Sequence, residues 1–261
     1  MNPVFEILGC GTSTGVPVPL CDCLVCKSTD LRNNRLRASA LVKLPEGKNI
    51  LIDASTDFRL QAMRANLESI DAVLFTHAHA DHYLGIDDLR PYCYSRTSAI
   101  PCRANQETCD RLKSIFDYAF FKDPNWKGGK LPELDLETCS PGDKLRLFDK
   151  LIDVFELKHG EMQVLGFKFG NIAYATDCNS IPEASRSLLD GIDILVLDAI
   201  RYRSHPTHFS IDEAIAVANS LNVGKTYFIH MTHDIDYLEA SKKLPAGFEY
   251  CYDGLKIEFE W

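Results

Sequence analysis

Four metal-capable side chains fall within six residues: His77, His79, Asp81 and His82 make the pattern H-x-H-x-D-H. Neutral imidazole and carboxylate suit zinc, manganese or iron. A compact loop of this kind lets His77 and His79 face one ion while Asp81 and His82 face another. Imidazoles this crowded repel one another when protonated and add little to packing. The spacing therefore predicts metal binding rather than a solvated loop that happens to be rich in histidine. A second group lies near the start, where Cys21, Cys23 and Cys26 form C-x-C-x-x-C in a Pro-rich turn. A closed tetrahedral zinc site needs four protein donors, and His233 is the candidate for the fourth. Three reduced cysteines on a loop is the other reading of that motif.

The elements that must position these residues are visible as periodicity. Apolar stretches of strand length occupy 4–8, 39–44, 50–52, 72–75, 152–157, 164–169, 172–175, 192–197 and 226–229. Helical spacing occupies 57–66, 86–92, 106–119, 182–189, 211–221 and 237–243. Several strands end in a metal-capable side chain: 50–52 runs into Asp53, 72–75 into Thr76 and His77, 153–158 into His159, 171–176 into Asp177, and 226–229 into His230. Strand ends on one sheet edge bring residues distant in sequence into one cleft on a rigid scaffold. Ser210 with Glu213 reads as a capping box, Pro182 as a first-turn residue, and 45–47 as a hairpin turn. The turn-rich stretch 120–132 is a lid or a surface loop. Strand groups on either side of about residue 141 suggest two similar halves within a single domain, 1–261.

Composition bounds the class. The 261 residues are 46% hydrophobic and 25% charged, which excludes disordered, collagenous and coiled-coil chains. A net charge of −9 disfavours nonspecific binding to nucleic acid. No run approaches the roughly 18 apolar residues of a membrane helix, and the first basic residue is Lys27, so the expectation is a cytoplasmic protein without a membrane partner. Its ten cysteines are then expected to be mostly reduced.

The ordered series Asp53, His77 to His82, His159, Asp177 and His230 resembles the metallo-β-lactamase superfamily. That resemblance implies an α/β fold, the four-layer αββα sandwich of two mixed β-sheets flanked by helices. It also implies that His77, His79 and His159 hold a first ion, that Asp81, His82 and His230 hold a second, and that Asp177 bridges them. Asp53 would support the ligand loop from behind. Taken singly, His159 and His230 read as ordinary structural histidines; the cluster changes that reading.

The Cys21, Cys23, Cys26 and His233 set narrows the resemblance to the phosphoribosyl 1,2-cyclic phosphate phosphodiesterase subfamily, PhnP-like hydrolases that accompany carbon-phosphorus lyase. The stretches L-G-C-G-T-S at 8–13 and R-A-S-A-L-V at 37–42 resemble it as well. The implied cofactors are two divalent transition ions at the active site, zinc or manganese, and one structural zinc. The implied reaction is hydrolysis of a small, cyclic phosphodiester. His208 would serve as general acid, with His205 its lesser twin, Asp81 would count among the catalytic groups, and Arg37 and His205 would assist substrate binding, Arg37 at the phosphate. Asp198 would orient His208 or cap its loop. Gly9, Gly11 and Gly15 would let backbone amides approach a phosphate or simply form a turn, and no Lys-Ser/Thr pair follows to make a nucleotide P-loop. A homodimer is compatible with all of this. The competing readings are a transfer-RNA 3′-processing endonuclease, which an acidic chain with three lysines in its long insertion disfavours, and a catalytically silent metal-binding module.

Overall fold

The structure, a computed structural model, describes residues 2–121 and 125–261. Side chains in its strands alternate between two apolar environments, as a sheet covered on both faces requires. Ile50 and Ile52 join the large core with Phe5, Val42, Phe167 and Tyr174. Leu51, between them, joins Leu41, Val73, Phe58 and Leu112 in a separate outer cluster. The first face meets the other sheet, and the second meets helices.

The first sheet holds β1 (Val4–Gly9), β2 (Ser39–Lys43), β3 (Asn49–Ile52), β4 (Ala72–Leu74), β5 (Ile100–Ala104) and β6 (Leu134–Thr138). The second holds β7 (Lys144–Leu147), β8 (Lys150–His159), β9 (Met162–Phe169), β10 (Ile172–Ala175), β11 (Ile194–Asp198), β12 (Lys225–Ile229) and β13 (Phe248–Tyr250). A last strand, β14 (Lys256–Glu258), returns to the first sheet beside β1. The strand orders are β14-β1-β2-β3-β4-β5-β6 and β13-β12-β11-β10-β9-β8-β7. The chain passes from one sheet to the other at 139–143. Helices α1 (Phe58–Arg64), α2 (Ala80–Tyr83), α3 (Gln106–Ile115) and α4 (Asp117–Phe120) accompany the first sheet, with a 3₁₀ segment at Ile86–Cys93. Helices α5 (Glu183–Leu189), α6 (Ile211–Ser220) and α7 (Tyr237–Ser241) accompany the second. Leu189, Ala214, Ala218 and Leu221 seal α5 and α6 onto its outer face. The result is the expected four-layer αββα sandwich.

Each half contains antiparallel neighbours followed by parallel ones. β3, β4, β5 and β6 run parallel, as do β10, β11, β12 and β13. β8 is antiparallel to β9, and β9 to β10, so β8 points the same way as β10. The C-terminal ends of β8, β10, β11 and β12 therefore share one edge.

Several elements differ from the periodicity reading. β5 carries Pro101 and Arg103, which hide its alternation of buried and half-buried positions. β6 alternates buried Leu134 and Leu136 with Asp135, but it follows a Gly- and Pro-rich stretch and so reads as turn. β7, β13 and β14 have only three or four residues, too few to show a period. The helix expected over 106–119 breaks at Phe116, whose ψ of 44° leaves the helical region. Pro182 caps α5 from outside rather than starting it. Of the stretch 120–132, residues 122–124 lie outside the described residues; Phe121 and Trp126 flank a cavity of about 280 Å³ whose walls include none of the metal-capable cluster. Among the described residues no helix is long and apolar enough to cross a membrane.

Candidate metal centre

The strand ends deliver their polar residues to one place. Asp53 follows β3, His77 lies three residues past β4, His159 ends β8, Asp177 follows β10 by two, Asp198 ends β11, and His230 follows β12. Asp53, Asp177 and His230 all adopt left-handed backbone, with φ of 61°, 52° and 65°. That conformation costs an L-residue about 1 kcal/mol or more. It turns the chain sharply at each strand end, and the side chain is aimed back into the cleft.

On the first sheet's side, Asp53 is fully buried and organises the ligand loop. Its Oδ1 accepts from Thr76 N (2.8 Å), and its Oδ2 accepts from Thr76 Oγ1 (2.8 Å) and pairs with His82 Nδ1 (2.7 Å). With its proton given to Asp53, Thr76 Oγ1 accepts from His77 Nδ1 (3.0 Å). Both imidazoles thus spend Nδ1 on the protein and turn Nε2 inward, where neither Nε2 has a hydrogen-bond partner among the described residues. This is the outer-sphere arrangement that fixes tautomer and ring angle for metal ligation. Thr76 carries no metal-ligand signature in the sequence, and its role emerges only from this geometry.

From the second sheet, His159 donates Nδ1–H to Thr207 O (2.7 Å). Its ring centroid lies 5.1 Å from that of His79. Asp177 sits between the two sides, grouped with His77 and His79, with Asp81, His82 and His230, and with His159 and His208, each set offering ligand atoms within 4.8 Å of one another. Asp177 Oδ1 is 3.3 Å from His82 Nε2, and its Oδ2 is 3.3 Å from His230 Nε2 and 3.9 Å from His77 Nε2. Asp81 Oδ2 is 3.3 Å from His82 Nε2 and 3.7 Å from His230 Nε2. Two donors on one tetrahedral ion, each about 2.1 Å from it, stand about 3.4 Å apart. The spacing fits ligands arranged about a cation, and the buried, partnerless Nε2 atoms of His77, His82 and His230 want one.

The electrostatics agree. Burial pushes His82 and His230 towards neutrality, but Asp177 and Asp81 outweigh it and raise both, so the cleft favours positive charge at these nitrogens. Burial would lift Asp81 and Asp177, yet the surrounding imidazoles hold both carboxyls well below the usual range. Burial together with His82 keeps His77 neutral, the form that ligates metal.

His208 lies in the same cleft, with its ring 4.5 Å from His159 and 4.8 Å from His230. Its Nδ1 bonds Asp198 Oδ2 at 2.6 Å. Burial and His230 push it down to about 4, so it is neutral near pH 7 and presents Nε2 as a proton acceptor. The general-acid expectation needs a proton delivered to that nitrogen first. His205 stands beside it, centroid 5.0 Å away, with Nδ1 turned to Thr207. Asn179, which the sequence did not single out, braces this loop: its Oδ1 accepts from Gly160 N (2.9 Å) and its Nδ2 donates to Pro206 O (2.8 Å).

Arg37 is not brought into the cluster. Its guanidinium holds Asp57 (2.9 Å) and Ser13 O (3.1 Å). The glycine turn is likewise filled by the chain itself: a Cβ at Gly9 would collide with Arg37 O, and one at Gly11 with Arg35 O. These glycines admit the 35–37 segment rather than a phosphate. Cys21, Cys23 and Cys26 do converge on His233, with Sγ atoms 3.2, 3.6 and 3.3 Å from its Nδ1. Sulfur and nitrogen on one tetrahedral zinc stand about 3.5 Å apart, so this set fits such an ion.

A family model described as beta-lactamase superfamily domain matches residues 48–231. A solved structure described as a new diphosphatase from the PhnP family is 41% identical, with a TM-score of 0.92, and the match covers 99% of this chain and 98% of that one. The chain belongs to the PhnP family of the metallo-β-lactamase superfamily. An octanoyltransferase of Porphyromonas gingivalis (strain ATCC BAA-308 / W83) is 37% identical over 252 residues, 96% of this chain, and this PhnP-family chain spans only 50% of that protein's length. Zinc-bound PqqB from Methylobacterium extorquens shares the fold at 18% identity, TM-score 0.77, over 98% of this chain and all of that one.

Proposed function

We propose that this chain hydrolyses a phosphorus–oxygen bond in a small phosphodiester, with a five-membered cyclic phosphate such as phosphoribosyl 1,2-cyclic phosphate the preferred form. The observation that carries the reading is the placement of Asp177 among three sets of converging ligand atoms, with the buried His208 ring held in the same cleft by its Nδ1 bond to Asp198. A similar chain whose description names a diphosphatase supports chemistry at phosphorus. The acidic balance of −9 supports a small substrate over a long nucleic acid.

His77, His79 and His159 would hold one divalent ion, Asp81, His82 and His230 a second, and Asp177 both, with zinc or manganese suited to the donor set. Such a pair supplies an activated water and neutralises charge on the phosphoryl oxygens. The remaining work falls to the chain. His208 Nε2 takes the proton of the attacking water and returns it to the departing sugar oxygen, while Asp198 keeps Nδ1 protonated and the ring in place. Asp53 and Thr76 hold the His77 and His82 rings against rotation, so the cleft need not reorganise as the reaction proceeds. Cys21, Cys23, Cys26 and His233 would hold a structural zinc.

The experiment compares bis(p-nitrophenyl) phosphate, a five-membered cyclic phosphate, a diphosphate diester and precursor transfer RNA, using protein of measured metal content. Turnover of the cyclic phosphate at the highest kcat/KM supports the reading. Cleavage of RNA alone replaces it with the nuclease, and inertness towards all four with metals bound replaces it with the silent module.

A further inference from the structure

Arg35 is 1% exposed, and among the described residues no carboxylate pairs with it. A buried guanidinium is costly unless its donors are met. Here Nη1 and Nη2 are met, by two main-chain carbonyls and one side-chain amide oxygen, while the buried Nε has no partner among the described residues. Nη1 donates to Thr232 O (2.8 Å), and Nη2 donates to Ile235 O (2.6 Å) and Asn33 Oδ1 (3.0 Å). The base of the side chain is fixed too, because Arg35 and Val16 exchange backbone hydrogen bonds of 2.8 and 2.9 Å. Asn33 extends the grip: its Oδ1 accepts from Tyr237 N (2.9 Å) and its Nδ2 donates to Asp236 (3.0 Å).

Both carbonyls held by Arg35 belong to the short stretch 230–235, which carries His230 at its start and His233 in its middle. Met231 N bonds Cys10 O and Thr232 N bonds Ile200 O, so the stretch leaves the two sheets in a set direction. Beyond Thr232 it has lost the ladder, and Arg35 ties the Thr232 carbonyl to that of Ile235.

We infer that Arg35 is a positioning residue that fixes the 230–235 stretch so that His230 meets Asp81, His82 and Asp177, and that it does so with or without an ion at the cysteine group. This rests on the metal-centre reading. It is separate from any role of Arg37, whose guanidinium is engaged elsewhere.

The test uses the full chain as wild type, Arg35→Met and Arg35→Lys, with exposed Arg146→Met as a control. Two quantities are read: ions retained per folded chain against a competing chelator, with cobalt absorption separating the thiolate site from the imidazole cluster, and kcat and KM on bis(p-nitrophenyl) phosphate. In folded Arg35→Met, one cluster ion is expected to bind about ten- to a hundredfold more weakly. Its kcat is expected to fall about a hundredfold with KM within about twofold, since a misplaced ligand harms chemistry more than binding. Arg35→Lys, which keeps the charge but cannot bridge both carbonyls, falls between, and Arg146→Met matches wild type. Wild-type ion retention and kcat in folded Arg35→Met overturn the inference. Should that variant not fold, the same result in Arg35→Lys overturns it. A wild-type chain that takes up no ion at the cluster overturns the metal-centre reading itself, and this inference with it.

Discussion

Asp198 Oδ2 accepts a 2.6 Å hydrogen bond from His208 Nδ1 and a 2.7 Å bond from the backbone N–H of Cys178. One buried carboxylate thereby fixes the imidazole to the residue that follows Asp177. The ring that faces the cleft and the carboxylate at the centre of the cluster are built on a common base.

Because the two residues act as a unit, Asp198→Asn and His208→Ala should each lower kcat about a hundredfold or more on a generic phosphodiester, with little change in KM. The double variant should fall little further. Steady-state kinetics on the three proteins decide it; losses that multiply in the double variant would show that Asp198 and His208 work independently.

Asp53 spends both oxygens on Thr76 and His82. Asp53→Ala should weaken retention of the cluster ions about ten- to a hundredfold, measured by chelator competition. The thermal midpoint of the loaded protein should drop towards that of the chelated one, because ions that bind only the folded chain stabilise it by mass action. Unchanged metal retention in this variant counts against Asp53 as the organiser of the loop.

Cys23→Ser should remove one zinc per chain and lower Tm, yet leave kcat per folded molecule close to wild type. The cysteine sulfurs gather the Pro-rich loop onto His233, while Arg35 holds the 230–235 stretch from the other side. Metal analysis and calorimetry check the first part, and kinetics the second. An unaltered zinc content would remove the cysteine group as a metal site.

Ser210 caps α6 through Glu213 N, and Glu213 returns its carboxylate to Ser210 N (2.8 Å). Ser210→Ala should cost about 1 kcal/mol in chemical denaturation at neutral pH. The hydrogen bonds from the Ser210 side chain and backbone hold Glu213 below its ordinary value of 4.5. A carboxyl depressed on folding contributes stability that is present above its unfolded value and is lost as pH falls through its folded one. The difference between wild type and variant should therefore shrink as pH drops below about 4.5. A difference that stays constant into acid would assign the effect to the hydroxyl cap alone.

What could be read from the sequence follows from which physical signals are local. His77, His79, Asp81 and His82 announce themselves by composition, and Asp53, His159, Asp177 and His230 by standing at the ends of apolar runs. The three-residue strands Phe248–Tyr250 and Lys256–Glu258 are held by neighbours distant in sequence, and nothing within them marks their pairing. The same holds for Arg35 and Arg37. They are two residues apart and chemically alike, yet one is sunk beneath the 230–235 stretch and the other clasps Asp57. Burial and partners, both tertiary facts, tell them apart.

The division of the candidate ligands between the two sheets has a mechanical outcome. His77, His79, Asp81 and His82 travel with one sheet and His159, Asp177 and His230 with the other, so bound cations would act as rivets through the seam of the sandwich. A chain cut at 139–143 would yield two fragments, neither carrying a complete coordination sphere. Metal uptake by the mixed pieces would then report their reassembly, and stripping the ions should let the seam open faster.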